Sequence, residues 1–205
     1  MAKATRYTDE LIKEYRQKGF WDDTRLCDLW DLNARDFPDR IALSDSSHCL
    51  TYSEAKLWID RLALGFIEEG LEKDELIVLQ LPNSVELTLL RVACEKAGLL
   101  CLPILRTLRH TEVAYILGKT EAAGVVVPTE FQGFDHCRMI DDLQPGLPQL
   151  RRVFAVGEKA PSRFIPISDM IKNSREEKYP PEFLEARKCP ATEFSCIFHT
   201  TGTTG

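Results

Sequence analysis

No pair of cysteines in this chain stands at CxxC spacing, and no two histidines keep the interval of a zinc site. Seven cysteines (27, 49, 94, 101, 137, 189 and 196) are an odd number and scattered, which excludes a simple disulfide framework. Several lie in apolar runs, such as Cys101 in LLCLPI and Cys196 in FSCIF, where reduced thiols pack as small hydrophobes. His136 beside Cys137 lacks paired ligand spacing, so no metal site is expected. Long hydrophobic runs are missing too. LLCLPIL at 99–105 is too short to span a bilayer, and the first twenty residues contain no apolar segment of the secretory kind. Basic residues are not in excess: 26 Lys and Arg against 32 Asp and Glu leave a net charge of −6, which argues against a nucleic-acid footprint. GxxxxGK[ST] is absent, which excludes a Walker A loop and disfavours a nucleotide hydrolase of that kind. These absences together point to a cytoplasmic protein without a transmembrane segment.

What is present is a regular alternation. Hydrophobic residues make up 44% of the 205 and charged residues 28%, enough for a well-buried core. Leu11, Tyr15 and Phe20, then Leu26, Leu29, Trp30 and Leu32, read as two amphipathic helices. RIALSD and CLTY read as short strands. Thr51 and Glu54 stand at capping-box spacing before Ala55, Ile59, Leu62 and Phe66, and Gly70 supplies a stop. ELIVLQL (75–81), LLCLPI, GVVVP (124–128) and RRVFAV (151–156) are strand-length apolar runs. Helical stretches separate them: one restarted by PNSVE, with Asn83 as its expected cap, and ending at Gly98, then HTEVAYILGK and DHCRMIDDL.

Continuous apolar strands are buried on both faces, as in a parallel sheet covered by helices. The fold class expected is therefore α/β, a doubly wound, mostly parallel sheet flanked by helices. The chain divides into a helical lead-in (1–40), an α/β core (41–156), a Pro-rich charged surface excursion (157–193) with a short helix at 168–173, and a closing strand and loop (194–205).

That closing loop reads FHTTGTTG. Glycine lets backbone amides approach phosphate closely, and threonine adds hydroxyl donors. Open α/β sheets bind ligands at the carboxyl ends of their strands, which is where this loop departs. The same small polar residues also have the composition of a loose chain end, and no helix follows to settle the last five or six.

FHTTGTTG, with LTYSEA (50–55), VLQLPNSVELTLLRVACEKAGLLCLPI (78–104) and LRHTEVAYIL (108–117) in that order, resembles the adenylate-forming superfamily. Its members include acyl- and aryl-CoA synthetases, aryl acid–AMP ligases, peptide-synthetase adenylation domains and luciferases. The resemblance covers roughly residues 35–130 and 194–205. It implies part of the large N-terminal domain of an enzyme that activates a carboxylic acid with ATP to an acyl-adenylate and passes the acyl group to CoA or another thiol. It also implies Mg²⁺ as ATP's companion. Thr200, Thr201, Gly202, Thr203, Thr204 and Gly205 would bind the phosphates, and no residue of this chain would act as acid, base or nucleophile.

Two features depart from the pattern. Leu105 and Arg106 stand where the family commonly has Asn-Pro, and His199 has no clear counterpart. The N-terminal segment favours the CoA-ligase and aryl acid–AMP ligase branches. Tyr52 and Glu54 read as a helix start, Pro82 and Pro103 as strand exits, and the REEK run at 175–178 as solvated surface. The family continues with Pro-Lys-Gly and much more, so the chain is expected to be an N-terminal portion, inactive alone. Its uncovered apolar faces would favour a homo-oligomer. The competing reading is a non-catalytic α/β binding or scaffolding module.

Overall fold

The computed structural model describes residues 7–180 and 182–198. Thr8 caps α1 (Asp9–Gln17), and α2 (Leu26–Asp36) follows. β1 (Ile41–Ser44) and β2 (Cys49–Thr51) pair antiparallel apart from the main sheet. The expected capping box opens α3 (Tyr52–Glu68): the Thr51 hydroxyl accepts the Glu54 N–H at 3.3 Å, and the Glu54 carboxylate accepts the Thr51 N–H at 2.8 Å. The alternation then runs through β3 (Leu76–Leu79), α4 (Val85–Ala97), β4 (Leu100–Pro103), α5 (His110–Lys119) and β5 (Gly124–Pro128). A small hairpin of β6 (Glu130–Phe131) and β7 (Phe134–Asp135) precedes α6 (His136–Leu143) and β8 (Arg152–Val156).

The main sheet has the order β4-β3-β5-β8-β9, with β9 at Ile165–Pro166, and every pairing in it is parallel. The apolar strand runs are buried on both faces for a visible reason. In β3, Ile77 and Leu79 turn to one face, and Leu76 and Val78 to the other. The first face packs on α3 and α4 through Ala55, Ile59, Leu62, Phe66, Leu89 and Ala93, where Phe66 meets Phe154 edge-to-face at 5.2 Å. The second packs on α5 and α6 through Val113, Leu117, Met139 and Ile140. The doubly wound α/β sheet flanked by helices is thus the observed fold.

Three local expectations need correction. α4 is capped by Ser84, whose hydroxyl accepts the Leu87 N–H at 3.4 Å, and not by Asn83. Asp45 in the β1–β2 turn decides this by accepting the Val85 N–H at 2.9 Å, a tertiary contact that fixes where the helix begins. Residues 157–193, expected to run over the surface, do form the expected short helix as α7 (Ile167–Lys172), but they also supply β9 and α8 (Glu182–Arg187) and bury Phe164, Ile167, Met170, Leu184 and Cys189. Residues 194–198, expected as a strand, make a single parallel bridge, Cys196 to Cys101.

A buried ion network holds α8 and α2 against α3 and α4. Lys96 is 3% exposed, with its ammonium 2.5 Å from both Asp31 and Asp60. Lys188 is 7% exposed and reaches Asp28 at 2.9 Å, Asp31 at 3.3 Å and Glu185 at 2.6 Å. Burial pushes the Asp28 carboxyl up, but hydrogen bonds from Arg25 and Lys188 outweigh it and hold the group well below the usual carboxylate range. A buried cation without its carboxylate is far costlier than the intact pair, so these contacts secure a geometry more than they add stability. Among the described residues no helix is long and apolar enough to cross a membrane.

Gly98 ends α4 at φ 77°, and a Cβ there would clash with the carbonyl oxygen of Arg187, the last residue of α8. Gly70 has φ 78°, and a Cβ there would meet only the end of the Arg152 side chain, at an ordinary contact distance of 3.7 Å. Gly70→Ala is therefore expected to cost about 1 kcal/mol for the left-handed conformation. Gly98→Ala should cost at least about 2 kcal/mol, because the α8 backbone must also shift. Equal urea midpoints for the two variants would contradict this packing.

Candidate functional site

Helix α4 follows β3 onto the first face of the sheet, and α6 follows β5 onto the second. The connections leaving the carboxyl ends of these neighbouring strands therefore diverge, as at the ligand-binding crevice of open α/β sheets. The last described segment comes to this same edge. The Cys101 N–H donates to the Ser195 carbonyl at 3.2 Å, and the Ile197 N–H donates to the Cys101 carbonyl at 2.8 Å. The segment is parallel to β4, so Phe198 (75% exposed) leaves from the carboxyl edge. Thr200, Thr201, Gly202, Thr203, Thr204 and Gly205, with His199, lie outside the described residues, as do the last residues whose order was questioned.

The edge is held by buried polar side chains that sequence reasoning passed over. Gln80, directly after β3, is fully buried, and its amide donates to the Leu105 carbonyl at 3.2 Å and the Leu108 carbonyl at 2.9 Å. His136 at the start of α6 is also fully buried, with Nδ1 3.1 Å from the Phe134 carbonyl and Nε2 3.3 Å from the Arg106 carbonyl. Both side chains thus grip the loop between β4 and α5, the stretch where Leu105 and Arg106 depart from the common pattern. Arg109 closes that loop on itself, donating to the Arg106 and Leu108 carbonyls at 2.9 Å each, with its guanidinium 3.9 Å from the centre of the Phe134 ring. Arg106 lies 5.4 Å from the centre of the Phe131 ring. Two guanidinium groups therefore sit in the loop that follows β4, the strand beside the incoming segment.

Other groupings have plainer accounts. The Asp45 carboxylate, near His48 and Glu86, accepts the backbone N–H groups of Ser47, His48 and Val85, and so serves as a cap for the turn and for α4. A cavity of about 270 Å³ is walled by Asp31, Lys56, Asp60, Lys96 and Lys188, whose charges already pair with one another. A shallower concavity of about 620 Å³, bordered by Glu75, Ala123 and Arg151, lies at the amino ends of the strands, opposite to the loop.

His136 carries a protonation cost. Burial pulls its pKa below the ordinary value, against the two carbonyls, which favour the charged ring. A group whose folded pKa is depressed gives its full stabilisation above the unfolded pKa of about 6.5 and loses it as pH falls through the folded value. Wild-type protein should therefore lose more urea resistance between pH 7.5 and pH 5 than His136→Gln does. Equal losses would overturn the assignment. At Gln80, Leu108 N–H already donates to the Leu105 carbonyl and Arg109 to the Leu108 carbonyl, and the buried Gln80 Oε1 has no partner. Gln80→Leu should accordingly cost only about 1 kcal/mol. Gln80→Glu should cost about 2–3 kcal/mol near neutral pH, because its carboxylate would face carbonyl oxygens. The reverse ranking in chemical denaturation would refute this account of the loop.

Comparison with known proteins agrees with the geometry. The family model described as AMP-binding enzyme matches residues 30–205. The medium-chain fatty-acid–CoA ligase of Escherichia coli (strain K12) is 32% identical over 201 residues, covering 97% of this chain and 34% of that protein. The 2,3-dihydroxybenzoate-AMP ligase of Bacillus subtilis (strain 168) is 32% identical over 166 residues, covering 81% of this chain and 30% of that protein. Among solved structures, that of apo MbtA from Mycobacterium smegmatis superimposes with a TM-score of 0.83 at 25% identity, covering 100% of this chain and 36% of that one. The chain thus spans about a third of the length of the curated relatives it matches.

Proposed function

The chain belongs to the AMP-binding enzyme family, and from that membership we propose that it forms the amino-terminal part of an AMP-forming carboxylate–CoA, or carboxylate–thiol, ligase. The relatives are named as a fatty-acid–CoA ligase and an aryl acid–AMP ligase, which supports a carboxylic acid as substrate, ATP as the activating nucleotide and CoA or another thiol as acceptor. One observation carries the reading for this chain. The parallel contact of residues 195–197 with β4 carries Phe198 toward the carboxyl edge of the sheet, and the threonine–glycine run begins two residues later in sequence.

The chemistry that follows is electrostatic. A carboxylate oxygen attacks the α-phosphorus of ATP, pyrophosphate departs, and a thiol later displaces AMP from the acyl-adenylate. The first step builds charge on the leaving pyrophosphate, and positioned donors lower its barrier. In this reading Thr200, Thr201, Thr203 and Thr204 supply hydroxyl and amide donors. Gly202 and Gly205 let the backbone close on the phosphates. No residue of the chain serves as acid, base or nucleophile. Mg²⁺ accompanies ATP as the counter-ion of the triphosphate, and no described residue is assigned to it. The proposed setting is cytoplasmic.

A protein of the relatives' length carrying this segment is expected to catalyse carboxylate-dependent ATP–pyrophosphate exchange with a fatty or hydroxybenzoic acid. Thr201→Ala or Thr204→Ala should lower its kcat/KM by about 10- to 100-fold, the worth of one hydrogen bond to a charged group. The 205-residue chain by itself is expected to show no exchange. Exchange by the short chain would overturn the expectation that it is inactive alone, and threonine variants as active as wild type would overturn the assignment of these residues to phosphate binding.

A further inference from the structure

Two thiols come together where the closing segment meets the sheet. Cys101 and Cys196 are register partners across the parallel bridge, and their Sγ atoms lie 3.4 Å apart. Cys101 is fully buried beneath α4, while Cys196 is partly open to solvent. The Cys101 S–H donates toward the Cys196 sulfur. Beside them, Arg91 on α4 donates to the Ser195 hydroxyl at 3.0 Å and to the Glu95 carboxylate at 3.1 Å. The hydrogen bond from Cys101, together with the charge of Arg91, pulls the Cys196 thiol down to about 7, against its partial burial and the Glu95 carboxylate. Cys27, Cys94, Cys137 and Cys189 are buried, and burial raises each of these thiols. Cys49 is exposed.

We propose that Cys101 and Cys196 are a redox-active pair, which a hydroperoxide converts into an intrachain disulfide fastening residues 195–197 to β4. The Cys196 thiolate attacks the terminal oxygen of the hydroperoxide ROOH. The O–O bond breaks, Cys196 becomes a sulfenic acid, and RO⁻ takes up a proton to leave as ROH. The Cys101 sulfur, giving up its proton, then attacks the Cys196 sulfur and expels the hydroxyl as water. Two thiols and one hydroperoxide thus give one disulfide, one ROH and one water, and two electrons pass from the sulfurs to the peroxide. An S–S bond of about 2 Å asks the sulfurs to close by roughly 1.4 Å from their 3.4 Å separation. A thiol reductant reverses the change by exchange. Thr200 lies four residues past Cys196, so the bond would tether the approach to the proposed phosphate loop. That consequence rests on the ligase reading, whereas the cross-link does not.

The test is a non-reducing peptide map of the 205-residue chain after treatment with hydrogen peroxide near neutral pH and alkylation of the remaining thiols. The expected product joins the Cys101 and Cys196 peptides with loss of two hydrogens and disappears on reduction. Cys49 serves as the reference for an isolated exposed thiol. In Cys196→Ser, Cys101 should be recovered fully alkylatable after unfolding. In Cys101→Ala, Cys196 should stop at the sulfenic or sulfinic acid. Should that variant not fold, Cys196→Ser alone decides. Recovery of both thiols unchanged, or pairing of Cys196 with any other cysteine, overturns the proposal. Because the map needs no nucleotide, it can fail while the ligase reading stands, and the reverse also holds.

Discussion

Two backbone hydrogen bonds on Cys101, one given and one accepted, decide where the last described residues, 195–198, run. They align residues 195–197 with β4, and everything inferred about the carboxyl edge depends on that alignment. The bonds are few, and the segment reaches them because its approach is fastened along α4. The Arg187 side chain donates to the Ala97 carbonyl at 3.3 Å, and the Cys189 N–H to the Glu95 carbonyl at 3.2 Å. Lys188 is anchored among Asp28, Asp31 and Glu185, and Arg91 holds Ser195. Helix α4 therefore packs the first face of the sheet on one side and lays the track for the returning chain on another.

The carboxyl edge shows how a parallel sheet can carry a polar site without loosening its core. The strand interiors are almost wholly apolar, and at the carboxyl edge the polar work falls to residues just past them. Gln80 and His136 turn their side chains into backbone carbonyls of one loop, which is held by partners from β3 and α6 at once. Buried polar groups are tolerated where hydrogen bonds replace water, and here those bonds also fix a connection next to the proposed nucleotide region.

Local rules were read correctly where local forces decide. The Thr51–Glu54 box, the stop at Gly98 and the apolar strand runs all depend on neighbours within a few residues. The fold class followed, because strands buried on both faces and separated by helices leave little choice. The errors lie where distant groups intervene. Asn83 and Ser84 can each cap a helix, and an aspartate some forty residues earlier selects between frames. β9 is two residues long and carries no period. No spacing rule links Asp28, Asp31, Lys96 and Lys188, which only the packing of α2, α4 and α8 brings together. Gln80 read as the end of a strand and His136 as an isolated histidine, since their acceptors lie 25 to 30 residues away. The Cys101–Cys196 contact joins sites 95 apart, which no spacing rule reaches.

The ion network also sets how the molecule can be divided. A protein engineer wanting the smallest autonomous unit would be drawn to residues 41–156, which contain most of the sheet. Such a cut would discard Asp28, Asp31, Glu185 and Lys188, and leave Lys96 uncovered with Asp60 as its one remaining carboxylate. The helices at the two ends of the described chain, far apart in sequence, are thus jointly indispensable to the middle: they close over the same ammonium groups, and neither can be trimmed without flooding the space beneath α3 and α4 with water.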